Sequence, residues 1–150
     1  MSRRALAAAL TLSLTPATAG AQAVDPVMEG AWIFTTEARQ NNRPVCTETW
    51  DFGPNGRMEV SSGAERVQKT WRLEKDADGL WLVMTTLATN HAPDCMGNVT
   101  AKVPEGEDRT YLVPLNSGRV LTCPPPGRAP NGAPVVSGCY GGLFPAAQAG

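Results

Sequence analysis

A chain of 150 residues with 13 basic and 14 acidic side chains, a net charge of −1 and 42% hydrophobic residues suits one domain with its own core. The charges are interspersed and form no lysine/arginine stripe, which argues against nucleic acid as a partner. Beyond the first residues, no apolar run approaches the roughly twenty residues that a membrane-crossing helix needs, so no integral membrane segment is expected.

The first element in chain order reads as a segment to be removed. Met1-Ser2-Arg3-Arg4 carries two positive charges, Ala5 to Leu14 is apolar, and a run of small residues ends in Ala21-Gln22-Ala23. That order is the order of a cleaved export signal, with the cut expected after Ala23 and the mature domain running from Val24 to Gly150 in the periplasm or outside the cell. No cysteine lies near the cut, so no lipid anchor is expected there. Arg3-Arg4 leaves both general and twin-arginine export open.

From Gly30 the pattern changes to short alternating runs separated by turn chemistry, the signature of strands. Trp32, Phe34 and Thr36 share one face of the first run. In the second, Trp50 and Phe52 share a face while Thr49 and Asp51 point away. Met58 and Val60 alternate with Arg57, Glu59 and Ser61, and Val67, Trp71 and Leu73 oppose Gln68, Thr70 and Arg72. Leu80 to Leu87 is apolar on both faces, which predicts either the most buried strand or one facing a partner, with Trp81 directed outward into a contact surface. Tyr111, Val113 and Leu115 share a face in a sixth run, and Arg119 to Thr122 makes a seventh. Gly53-Pro54-Asn55-Gly56, Asp78-Gly79 and Asn116-Ser117-Gly118 supply the residues that tight hairpins require.

If the strands run up and down, these three turns fall at one end. The loops Glu37 to Cys46, Ser62 to Arg66 and Ala88 to Asp108 fall at the other, and that second end gathers Cys46, Cys95, Cys123 and Cys139. Four cysteines in an exported domain read as two disulfides with three possible pairings. The favoured one is Cys123–Cys139, tying down the segment Pro124 to Pro134, with Cys46–Cys95 joining the two longest loops. No C-x-x-C spacing supports a zinc site, and Asp76-Ala77-Asp78-Gly79 lacks the later oxygen ligands of a calcium loop. No motif implies a metal or another cofactor. The expected fold is all-β: a small antiparallel up-and-down barrel of about seven or eight strands. Gly138 to Phe144 would supply the last strand beside Trp32, although Gly141 and Gly142 weaken that assignment. A bent open sheet or a sandwich is the fallback.

Gly30-Ala31-Trp32, opening the first strand of a small exported β-domain, resembles the G-x-W start of lipocalins and of bacterial lipocalin-like exported proteins. The strand Cys46 to Phe52, the turn Pro54-Asn55-Gly56 and the loop Pro93-Asp94-Cys95 add to the likeness. The family's later T-D-Y signature is absent. The resemblance implies a barrel in which Trp32 packs across the closed end and a later arginine, Arg119 or Arg72, stacks on it.

Residues with chemistry are few. His91 and Asp94 stand close together in the longest loop, but no G-x-S-x-G elbow surrounds a serine, and paired cysteines leave no thiolate nucleophile. An enzyme would need His91 in a cleft with a second polar group in reach. The preferred reading is a barrel that binds a small apolar or amphipathic ligand at its disulfide-bearing end. His91, Asp94 and Met96 from the long loop, with Asn42 and Arg43 from the first loop, would form the rim. The alternative is a filled barrel whose stapled loops bind another envelope protein, as an inhibitor or envelope factor. A void lined by Met58, Leu82 and Val113 would favour the first, and an exposed apolar patch around Trp81 the second.

Overall fold

Side chains alternate across a strand, so each run of this sequence presents one row to the core and one to the outside. The computed structural model describes residues 26–148; the expected export signal and its cut at Ala23 lie outside the described residues. The strands are β1 (Gly30–Thr36), β2 (Arg39–Gln40), β3 (Arg43–Pro44), β4 (Thr47–Phe52), β5 (Arg57–Ser62) and β6 (Glu65–Lys75). They continue with β7 (Leu80–Thr89), β8 (Glu107–Pro114), β9 (Val120–Cys123), β10 (Gly127–Arg128), β11 (Pro134–Val135) and β12 (Gly141–Pro145). Eight of them close an antiparallel barrel in the order β1-β12-β9-β8-β7-β6-β5-β4, while β2-β3 and β10-β11 are separate two-stranded hairpins.

The expected up-and-down barrel is therefore present, and β12 closes it. Phe34 pairs with Leu143 and Thr36 with Gly141 along the seam. The two glycines that argue against a strand in isolation are explained by the seam. A β-carbon on Gly141 would run into the Thr35 carbonyl and the Phe34 ring, and one on Gly142 into the Arg119 side chain. Close approach of neighbouring chains is what requires glycine at these two positions.

The inward rows form the core. Trp32, Phe52, Met58, Leu82, Leu112, Val120 and Leu143 are all buried, with Leu82 and Leu143 fully so. Each such side chain contributes roughly 1.5–3 kcal/mol relative to an exposed one. An aromatic row crosses the interior: Phe34 stacks on Trp50 at 5.2 Å, and Phe52 meets Trp71 edge-on at 5.0 Å. Gly56, Gly79 and Gly118, all at positive φ, sit in the three expected tight turns at the closed end. A void lined by Met58, Leu82 and Val113, which would have favoured the ligand reading, is not formed. Met58 and Leu82 are packed into the core, and Val113 belongs to the outer face, because it has the opposite parity from Leu112.

That outer face corrects the expectation for Trp81. Its side chain does point away from Leu80 and Leu82, yet it is only 6% exposed. After β9 the chain runs as a proline-rich strap, residues 124–139, over Trp81, Val83 and Tyr111, with Val136 and Cys139 packed on them. Arg128 reaches Asp78 in the closed-end turn, and the Tyr111 hydroxyl donates to the Asp78 carbonyl at 2.6 Å. The partner that covers the doubly apolar strand is thus a later part of the same chain. The segment expected as a plain loop at Glu37 to Cys46 contains the β2-β3 hairpin, turned by Asn41 and Asn42 at positive φ as a primed turn requires.

All four cysteines are paired at the open end, Cys46 with Cys95 and Cys123 with Cys139, with Cα atoms 5.4 and 3.9 Å apart. No described helix is long and apolar enough to cross a membrane. The outer rows of β4 to β6 carry Asp51, Arg57, Glu59, Arg72 and Glu74, unlike the apolar outer band of a membrane barrel.

Candidate functional site

The inward rows change character toward the disulfide-bearing end. Below, they are apolar and filled; above, β4 offers Glu48, β5 Ser62, β6 Glu65 and Lys69, β7 Thr86, and β8 Asp108 and Thr110. Register explains the grouping. Phe34 lies opposite Glu48, Glu48 opposite Ser62 and Ser62 opposite Glu65, while Lys69 pairs with both Met58 and Thr86. A bulge in β7 at Leu87 keeps Thr86 and Thr89 on the inner face on either side of it.

Two adjacent hollows open here. One of about 360 Å³ lies between Phe34, Trp50, Met84, Asp108, Thr122 and Tyr140, and reaches Lys69. The other, of about 210 Å³, lies between Glu48, Ser62, Glu65, Thr86, Thr100 and Pro104. They meet at Trp50 and Lys69, which line both. Three further depressions lie elsewhere: an open one of about 430 Å³ on the outer face at Asp51, Arg57 and Glu59, one of about 240 Å³ at Arg66, Ala88 and Asn90, and one of about 560 Å³ at the closed end beside Trp32 and Arg119. None of them gathers several inward-facing polar groups as the mouth does.

Three of the polar groups of the mouth are engaged in hydrogen bonds. The Trp50 indole N–H donates to Glu48 at 2.7 Å, which fixes the ring that divides the two hollows. Glu65 is buried and accepts the Thr89 hydroxyl at 3.0 Å. Ser62 accepts the Cys95 backbone N–H at 3.2 Å, docking the long loop against β5. Lys69 stands apart as the cation among them. Burial pushes its ammonium below the ordinary lysine value, against the opposing pull of Asp108, Glu48 and Glu65. Among the described residues no carboxylate closes an ion pair with it. Arg109, at the rim, is spent on the outer face, where it bonds Glu74 at 3.1 Å and lies 4.6 Å over the Trp81 ring. Glu48 also stands 3.7 Å from each sulfur of the Cys46–Cys95 bridge. Cys46, Glu48 and Cys95 have the spacing of a metal cluster, but sulfurs joined to each other offer no thiolate pair.

The five rim residues expected from the sequence are all at the open end, and none of them lines these hollows. Asn42 and Arg43 belong to the exposed β2-β3 hairpin, where the Asn42 carbonyl accepts from Arg39 at 3.2 Å. His91 is held at positive φ with Nδ1 2.7 Å from the Thr100 carbonyl; a carbonyl only accepts, so Nδ1 carries the proton. Asp94 organises its own loop, taking the backbone N–H groups of Met96 and Asn98 at 2.8 Å each. Partial desolvation works against the charge of Asp94, yet the N–H donors of Asn98, Met96 and Gly97 hold its carboxyl below the usual value. Met96 is exposed. The long loop meets the cavity through Thr100 and Pro104 instead. Gly30, at positive φ, starts β1, and Trp32 is buried near the closed end. Arg119 lies over Phe144 at 5.0 Å and Arg72 pairs with Glu107 at 2.6 Å, so both arginines are engaged away from the Trp32 ring.

Lys69, Glu48, Glu65 and Asp108 are the residues that the sequence reading passed over. A signal for two of them was present: Lys69 has the parity of Val67, Trp71 and Leu73, and Glu48 that of Trp50 and Phe52. A charge on an otherwise apolar row is worth attention, because an inward lysine or glutamate is costly unless something uses it. No family model, no curated protein and no solved structure matches this chain.

Proposed function

We propose that the protein is an exported lipocalin-like barrel that holds a small amphipathic ligand in its disulfide-bearing mouth. The observation that carries this reading is the division of the interior. The interior around Phe52, Leu82 and Leu143 is packed with apolar side chains, while the open half keeps hollows of about 360 and 210 Å³ lined by Trp50 and Lys69 together with several inward polar groups. A concave site with apolar walls and a few convergent polar groups is the usual form of a small-molecule pocket. Two disulfides brace the rim of that pocket and suit an oxidising compartment. The rival reading, a filled barrel offering an apolar surface to an envelope protein, leaned on exposure around Trp81, and the strap covers that ring.

Native mass spectrometry on protein recovered from a bacterial periplasm tests the proposal. The expected result is extra mass that is lost on denaturation and absent from a Trp50→Ala variant that is less stable but still folded. A clean native mass, together with no shift of the Trp50 indole signal across a panel of neutral amphipathic molecules, refutes it.

A further inference from the structure

The ligand class can be narrowed from the charges in the mouth, given the binding reading above. An anionic ligand would meet Glu48, Glu65 and Asp108 against the single Lys69 ammonium, and is repelled on balance. A cationic ligand would gain from the three carboxylates but would set a second positive charge beside the Lys69 ammonium. A neutral ligand meets neither penalty. Lys69 itself has the features of a reactive amine: it is inward-facing, partly desolvated, and without an ion-pair partner among the described residues. Desolvation is what makes a lysine amine nucleophilic near neutral pH.

We propose that Lys69 captures the carbonyl carbon of a small neutral aldehyde or ketone whose apolar or aromatic body lies between Phe34, Trp50 and Met84. The neutral amine adds its lone pair to the carbonyl carbon, forming the C–N bond as the C=O pair moves to oxygen and takes a proton. The resulting carbinolamine loses its hydroxyl with a proton as water, and the C=N bond forms. One carbonyl and one amine become one imine and one water, with nothing oxidised or reduced. Asp108 and Glu48 are the groups whose charge acts on Lys69 from the facing strands β8 and β4. They relay protons between nitrogen, oxygen and solvent during the addition and dehydration, and stand as counter-ions once the imine takes up a solvent proton.

The test uses the disulfide-intact mature protein, 3-phenylpropanal as probe, and sodium cyanoborohydride to reduce any imine to a stable amine. The chain has three lysines, Lys69, Lys75 and Lys102, so peptide mapping assigns the adduct directly. The expected result is several-fold faster labelling at Lys69 than at the exposed Lys75 and Lys102, abolished at that position in Lys69→Arg, whose melting point is retained. Equal labelling of the three lysines, or labelling dominated by Lys102, overturns the proposal. The unreactive alcohol 3-phenylpropanol separates this from the binding reading. If the alcohol shifts the Trp50 indole signal saturably while Lys69 stays unlabelled by the aldehyde, covalent capture falls and the pocket stands. If neither molecule leaves a trace, both fall.

Discussion

Removing the bridge beneath the strap is the most direct check on how this barrel is held together. The perturbation is Cys123→Ser combined with Cys139→Ser, which leaves no odd thiol to mispair with Cys46 or Cys95. The bridge closes a loop with a sequence separation of 16, and the chain-entropy relation for a loop of that size gives about 3 kcal/mol of lost stability. In a domain of this length that corresponds to a fall in Tm of roughly 10 °C. The structure adds a second, local consequence. Trp81 and Tyr111, 6% and 8% exposed beneath the strap, lose part of their cover when only Val136 and the Arg128–Asp78 pair hold the segment down. That pair is surface-exposed and contributes little by itself. Urea denaturation reads the global term, and acrylamide quenching reads the local one, with Trp81→Phe in both backgrounds assigning the signal. A double variant with the parent's midpoint would refute the reasoning. A lowered midpoint with Trp81 still fully shielded would show that the strap's own packing, not the bridge, keeps it in place.

Other substitutions probe the seam, the core and the buried charge. Gly141→Ala should cost about 1–3 kcal/mol in thermal or urea unfolding because its β-carbon has rigid backbone and ring to displace; Gly142→Ala, which meets only the Arg119 side chain, should cost less. Leu82→Ala, at a fully buried site, should cost about 2–5 kcal/mol, whereas Leu115→Ala on the exposed closed end should stay within about 0.5 kcal/mol of the parent. For Lys69, whose folded pKa is lowered by burial, the unfolded chain holds more protons between that folded pKa and the ordinary value of 10.5. Stability from this group therefore rises with pH across that window. Urea midpoints of the parent should gain on those of Lys69→Met as pH increases toward 10.5, and parallel curves would contradict the assignment.

Much of the barrel could be read from alternation because its information is local. Trp32, Phe34, Trp50, Phe52, Met58 and Val60 each carry their facing in the residues beside them, and Gly56, Gly79 and Gly118 mark the turns that divide the runs. Other features depend on what lies across space. Gly141 and Gly142 look like strand breakers until β1 and Arg119 are placed against them. Alternation sent Trp81 outward correctly, but its cover arrives some forty residues later in a proline-rich stretch with no periodicity of its own. The site was missed for a different reason. His91 and Asp94 drew attention by residue type, yet their polar atoms are consumed by the Thr100 carbonyl and by the N–H groups of their own loop. Lys69 and Glu48 sit on rows already assigned to the core, where neighbouring tryptophans dominated the pattern.

The two halves of the interior also explain why the staples lie where they do. Below the level of Lys69 the barrel is stabilised by close packing. Above it, the inward rows hold Glu48, Glu65, Asp108 and Lys69 at the expense of apolar burial, and the strand ends need another source of order. Cys46–Cys95 draws the long loop onto Ser62, and Cys123–Cys139 anchors the strap where β9 ends and β12 approaches. Stability is thus supplied covalently at the rim where packing has been given up. A fold that keeps several buried or half-buried charges in one place, and braces that place with both of its bridges, concentrates its departures from an ideal core at the mouth. Such departures are what a functional site requires.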